Sequence, residues 1–240
     1  MADDPRDALV VALDVGGLDA AREMVDRLGE RIRWFKVGLE LYSAAGPAAI
    51  AMLKEREKRI FLDLKLHDIP NTVSRAAIRL AELGVDIIDL HTVVGAEAMA
   101  QTARAVKEAR PGPERPVLLG VTVLTSTAGL SPDELVSEAV RRASEAQEAG
   151  LDGVVAPAPA APHIRRQCGD GFSLLVPGIR PEGSARGDQR WIASPAAARA
   201  AGARWLVVGR PITGAPDPAA AATAILTEIE AADPSASRGV

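Results

Sequence analysis

The chain reads as an α/β protein, a single (β/α)₈ TIM barrel, and three observations lead there. Eight short apolar, β-branched runs recur at 8–14, 32–38, 59–65, 85–91, 116–123, 153–156, 173–177 and 205–209. Between them lie Ala-, Glu- and Arg-rich stretches with helical spacing, such as 18–28, 76–83, 96–109 and 132–149. Strand alternating with helix implies a parallel sheet with helical crossovers. With 240 residues and no Gly-, Pro- or Ser-rich linker to divide them, one barrel domain over 1–240 is the economical arrangement. The small, polar residues 233–240 read as a fraying tail.

Taken in order, the strands share a habit: each is apolar until its C-terminal end, where a polar group intrudes. The first run, Leu9 to Leu13, stops at Asp14, and the second places Lys36 within Trp34-Phe35-Lys36-Val37-Gly38. The third carries Asp63 and Lys65 among leucines. Strict alternation along it puts Leu62, Leu64 and Leu66 on one face and both charges on the other, which in a closed barrel points inward. The fourth ends in Asp89 and His91, and Thr125-Ser126 follow the fifth. Arg180 follows the seventh in Pro177-Gly178-Ile179-Arg180, and Arg210 follows the eighth after Gly209. The C-terminal ends of the strands are where barrel enzymes build their sites.

Each residue has a plainer reading. Asp14 suits a helix cap. Lys36 suits a surface lysine laying its stem on apolar neighbours. Asp89 and His91 suit structural hydrogen bonds at the mouth as well as they suit substrate contact. The polar, glycine-rich stretch 178–191 reads either as a solvated loop or as a lid. Glycine and arginine after the last two strands match the phosphate sites of many barrels, which pair backbone N–H groups with a cation.

Composition narrows the classes. A net charge of −4 without a basic, aromatic-studded stripe argues against nucleic acid. The acidic start, Met1-Ala2-Asp3-Asp4, is unlike a secretory signal, and no apolar run is long enough to span a membrane, so the expected setting is cytoplasmic. The single cysteine, Cys168, excludes an intrachain disulfide and reads as an ordinary thiol, while His163 reads as a surface residue.

The segment Asp63-Leu64-Lys65-Leu66-His67-Asp68-Ile69-Pro70-Asn71-Thr72 resembles the signature of the orotidine 5′-phosphate decarboxylases, which make UMP from OMP in pyrimidine synthesis. In chain order, Ala12-Leu13-Asp14, Phe35-Lys36-Val37-Gly38, Val121 to Ser126, Pro177 to Pro181, Gly187-Asp188-Gln189-Arg190 and Val208 to Thr213 are similar to the bacterial pattern as well.

The resemblance implies that Lys65 protonates C6 and that Asp63 lies beside the substrate carboxylate. It implies an Asp-Lys-Asp-Lys array completed by Lys36 and Asp68, with Asp68 and Thr72 reaching into the neighbouring subunit's site, hence a homodimer with shared sites. Asp14 and Lys36 would hold the ribose, Thr125 and Ser126 the pyrimidine. Pro177 and Arg180 would belong to the substrate site and its closing loop, and Gln189, Gly209 and Arg210 would hold the phosphate. No cofactor and no metal is implied. The nearest alternative is a metal-dependent phosphosugar enzyme on the same barrel, and the more distant one a non-catalytic sensor of phosphate ligands.

Overall fold

The computed structural model describes residues 4–124, 129–181 and 191–232. Eight parallel strands close on themselves in sequence order: β1 (Leu9–Ala12), β2 (Trp34–Gly38), β3 (Arg59–Leu66), β4 (Ile87–His91), β5 (Val117–Val121), β6 (Gly153–Val155), β7 (Ser173–Val176) and β8 (Trp205–Val208), with β8 pairing back onto β1. Around them run α1 (Leu18–Leu28), α2 (Leu39–Ala45), α3 (Pro47–Lys54), α4 (Pro70–Glu82), α5 (Ala96–Ala109), α6 (Pro132–Glu148), α7 (Ala161–Cys168), α8 (Pro195–Ala200), α9 (Arg210–Thr213) and α10 (Pro218–Ala231). The expected fold is the observed one.

Two apolar layers hold it. The larger lies between sheet and helices and takes one residue in two from each strand, for example Leu9, Val11 and Leu13 of the first segment and Ile60 and Leu62 of β3. The smaller fills the barrel with the alternate residues: Val10 and Ala12, Trp34, Phe61, Ile87, Leu119 and Val121, Val155, Leu175, Trp205 and Val207. Continuing the same period by one step toward the C-terminal ends gives Asp14, Lys36, Asp63 and Asp89. The barrel interior is therefore apolar in its lower layers and charged in its top layer.

Three expectations need correction. Strand runs are shorter than the apolar runs suggest, so Asp14 lies just beyond β1 and the first strand is Leu9–Ala12. The helix expected at 76–83 opens at Pro70, with Ile69 as its N-cap residue. Proline suits that first helical position because its missing N–H would have had no partner there. Most consequentially, β3 does not alternate strictly to its end. Pairing with β4 jumps from Leu62↔Ile88 to Leu66↔Leu90, and Lys65 takes a left-handed backbone with φ of 50°. The bulge leaves Leu64 and Leu66 only half-buried, and it re-aims Lys65.

Candidate active site

Lys36 and Asp63 project from neighbouring strands into the top layer of the barrel, and each is only 8% exposed. The Lys36 ammonium donates to Asp14 Oδ1 at 2.9 Å and stands 3.3 Å from Asp63 Oδ2. Asp63 Oδ1 takes the Lys65 ammonium in a close ion pair. The result is a chain of alternating charge, Asp14–Lys36–Asp63–Lys65, drawn from the ends of β1, β2 and β3. Neither plainer reading of the first two residues survives: α1 is capped by the Gly17 backbone and not by Asp14, and Lys36 is buried.

Burial alone would neutralise such groups, and mutual attraction prevents it. Burial pushes Asp63 up, but the charges of Lys36 and Lys65, with the hydrogen bond from Lys65, outweigh it and hold the carboxyl at about 2. For Lys36, burial works toward the neutral amine, yet Asp63 and Asp14 raise the ammonium above the usual lysine range.

Gly38 makes room for this chain. A Cβ there would lie 2.7 Å from Lys36 Nζ and 3.1 Å from Asp14 Oδ1, so those two side-chain ends would have to shift to admit it. Its φ of −95° is one that every residue adopts, so what the glycine contributes is space beside the pair.

Asp89 is 1% exposed, and its Oδ1 accepts the Lys65 backbone N–H at 2.8 Å. Of the two readings of Asp89, the structural hydrogen bond is the one the geometry contains. His91 is half-buried and lies tilted against His67, ring centroids 5.5 Å apart. Burial, reinforced by the charges of His67 and Lys65, holds His91 below the usual imidazole range. The two histidines border a cleft of about 670 Å³ beside the charged chain, walled by Thr122, Leu124, Glu138 and Arg142.

On the opposite side of the mouth, Gly178 after β7 has a φ of 76° and leads to Arg180, which is 8% exposed. The Arg180 N–H donates to the Ala193 carbonyl at 2.9 Å, and its guanidinium donates to the Ile179 carbonyl at 2.8 Å. Arg180 thus sits at the root of the 178–191 segment. Burial and then the nearby positive charge of Arg210 depress the Arg180 pKa. Pro177 is half-buried beside it, and Gly209 forms the N-cap of α9, which Arg210 begins.

Two candidates stand apart from Lys65 within one chain. Asp68 is exposed and its Oδ1 accepts the Ile69 N–H at 2.7 Å, while Thr72 is exposed in the first turn of α4. Thr125, Ser126, Gln189 and the tail 233–240 lie outside the described residues. Sequence reasoning missed the spatial need for Gly38, and it gave Asp89 no assigned part. A glycine ending a strand that carries a buried lysine was the available signal for the first. The second depended on the stagger between strands.

Residues 7–225 match the family described as orotidine 5′-phosphate decarboxylase / HUMPS. An orotidine 5′-phosphate decarboxylase of Moorella thermoacetica is 49% identical over 235 residues, covering 94% of this chain and 93% of the relative. Among solved structures, orotidine 5′-phosphate decarboxylase from Lactobacillus acidophilus superposes with a TM-score of 0.80 at 34% identity, covering 93% of this chain and 99% of that one. The enzyme of the same name from Pyrococcus horikoshii gives 0.73 at 31% identity, with 92% and 98% covered. A barrel whose top layer carries a chain of alternating aspartates and lysines with a buried Lys36–Asp63 centre, matched along nearly its whole length, belongs to the orotidine 5′-phosphate decarboxylase family.

Proposed function

We propose that this chain decarboxylates orotidine 5′-monophosphate to UMP and CO₂, with Lys65 delivering the proton to C6. The observation that carries the reading is the buried anion Asp63 held between two ammonium groups. Losing CO₂ from C6 leaves a carbanion with no adjacent carbonyl to accept its charge, so stabilisation must come from groups already fixed in place. A lysine paired with an anion stays protonated, faces the developing negative charge, and then supplies its proton. Asp63 sits where a substrate carboxylate beside Lys65 would meet it and be repelled as long as the CO₂ remains attached.

The remaining assignments are supported by position. Asp14 and Lys36, joined at the edge of the mouth, suit the ribose hydroxyls. Arg180 and Arg210 bring two cations together after β7 and β8, and an anionic phosphate would relieve their repulsion. Binding energy from that remote phosphate is then available to close residues of 178–191, including Gln189, over the site. Thr125 and Ser126 follow β5, where they suit the pyrimidine.

We infer further that two copies share their sites. Asp68 is exposed at the rim, close in sequence to the exposed apolar Ile69, and Leu39, Val93 and Leu124 add apolar surface after β2, β4 and β5. A partner laid on this rim would receive Asp68 and Thr72.

The test is loss of orotate absorbance when the purified protein meets OMP after exhaustive chelation. Activity that requires a divalent metal would favour the phosphosugar alternative. For sharing, inactive Lys65→Ala and inactive Asp68→Ala proteins are mixed and allowed to exchange subunits. Recovery of about a quarter of wild-type activity is expected, because a mixed dimer holds one doubly mutated and one intact site. A mixture that stays inactive despite proven exchange would reject sharing.

A further inference from the structure

Lys65 has a backbone that L-residues avoid: its φ is 50°, at the point where β3 slips against β4. Something must hold it there, and Asp89 is in place to do so. Its Oδ1 accepts the Lys65 N–H at 2.8 Å, which replaces the ladder bond that the bulge abolishes. The other oxygen, Oδ2, is buried and accepts no hydrogen bond from the described residues. An ionised carboxylate cannot sustain that position, since both its oxygens only accept. A carboxylic acid can, because its second oxygen carries a donor. The acceptor would be the neighbouring anion Asp63, which enters the same top layer of the barrel from the adjoining strand. Burial first, and the adjacent charge of Asp63 second, push Asp89 well above the usual carboxylate range.

We propose that Asp89 is a positioning residue acting as a neutral acid: one oxygen fixes the left-handed turn that aims Lys65, and the other donates its proton to Asp63. Asp63 is thereby held as an anion by three donors, Lys36, Lys65 and Asp89, without a third full positive charge in the barrel. This arrangement separates the two carboxyls by role at neutral pH, one ionised and one protonated, although they stand side by side. The proposal rests on the decarboxylase reading for its kinetic readout and on backbone geometry for the rest.

The test compares Asp89→Asn with Asp89→Leu. Asparagine keeps an acceptor for the Lys65 N–H and offers an N–H donor to Asp63, so its kcat is expected within about threefold of wild type. Leucine keeps the branched outline at greater volume and loses both bonds; its kcat is expected to fall about 10²-fold, the scale of a misplaced catalytic group, with UMP affinity within about twofold. Hydrogen exchange should show the Lys65 amide protected in wild type and Asp89→Asn and unprotected in Asp89→Leu. Infrared difference spectra of wild type against Asp89→Asn should contain a protonated-carboxyl band at neutral pH. The proposal is overturned if Asp89→Leu keeps wild-type kcat, if Asp89→Asn loses as much as Asp89→Leu, if the protonated-carboxyl band is absent, or if UMP affinity falls in parallel with kcat. Wild-type protein that leaves OMP untouched would sink the decarboxylase reading alone, and the amide and infrared results would still decide the part of Asp89.

Discussion

The floor and the mouth of the barrel solve the same problem in opposite ways. At the floor, where the strands begin, Trp34 and Trp205 plug the interior with their rings in an edge-to-face contact, centroids 5.8 Å apart. Arg59 and Arg204 lie over those rings at 5.4 and 4.6 Å and keep their charge at the surface. Arg59 pairs with Asp86, whose carboxylate also takes the Ile60 N–H, and Arg115 grips Asp152 through two bonds of 2.8 and 2.7 Å. There, charges pair outside an apolar plug. At the mouth, inward positions of the same strands carry charge in place of tryptophan, and Lys36 and Asp63 are drawn under cover. One end stabilises the barrel and the other uses the stability it provides.

The contrast breaks most visibly at Lys65. Lys65→Ala is expected to lower kcat by about 10³-fold or more, toward the upper range for a lost general acid, while calorimetry of UMP binding changes within about twofold. A variant with near-normal turnover would remove Lys65 from the chemistry.

Asp63→Asn should damage both activity and fold, since it strips Lys36 and Lys65 of their shared anion. Leaving a buried lysine poorly paired costs about 3 kcal/mol, the low end of the range because Asp14 still partners Lys36. Urea unfolding at neutral pH measures this. The acid limb sharpens it. Asp63 is held at about 2 when folded, below its ordinary value, so its contribution is complete above about pH 4 and is lost as pH falls toward 2. Wild type should lose about 2 kcal/mol across that window through this group, and Asp63→Asn should show no such loss.

A smaller intrusion is Gly38→Ala, whose methyl would press on Lys36 Nζ. A rise in KM for OMP is expected with no more than about 1 kcal/mol of lost stability, the low end of overpacking because the ends of Lys36 and Asp14 can shift. Unchanged kinetics would mean that the Lys36–Asp14 pair can move aside freely. At the floor, Arg204→Ala removes a cation from the face of Trp205 and should cost only about 0.5–1 kcal/mol, with kcat and KM unaltered. Altered kinetics there would dissolve the division between the two ends.

How much of this was legible depended on whether a feature is local to one strand. Asp14, Lys36 and Asp63 were visible because each interrupts an apolar run at its C-terminal end, and barrel closure turns that pattern into convergence. The α1 boundaries were equally plain, since the helical spacing runs cleanly from Leu18 to Leu28. The bulge in β3 was not. Leu-Lys-Leu reads as ideal alternation, and nothing in the residue types announces a left-handed lysine. Asp89 as its anchor was hidden for a related reason, because the partner of Lys65 is set by the stagger of β4 against β3 and not by spacing along either. Helix α4 begins six residues before the helical spacing at 76–83 becomes plain, because a helix accepts proline in its first turn.

The left-handed turn at Lys65 also sets the stability of the protein against its activity at one position. Glycine adopts that backbone without the penalty that a side chain incurs, and asparagine does so at less cost than lysine. Selection purely for heat resistance would therefore set relief of that backbone strain against loss of the Lys65–Asp63 ion pair, and any glycine or asparagine it admitted at position 65 would remove the lysine proposed as the proton donor.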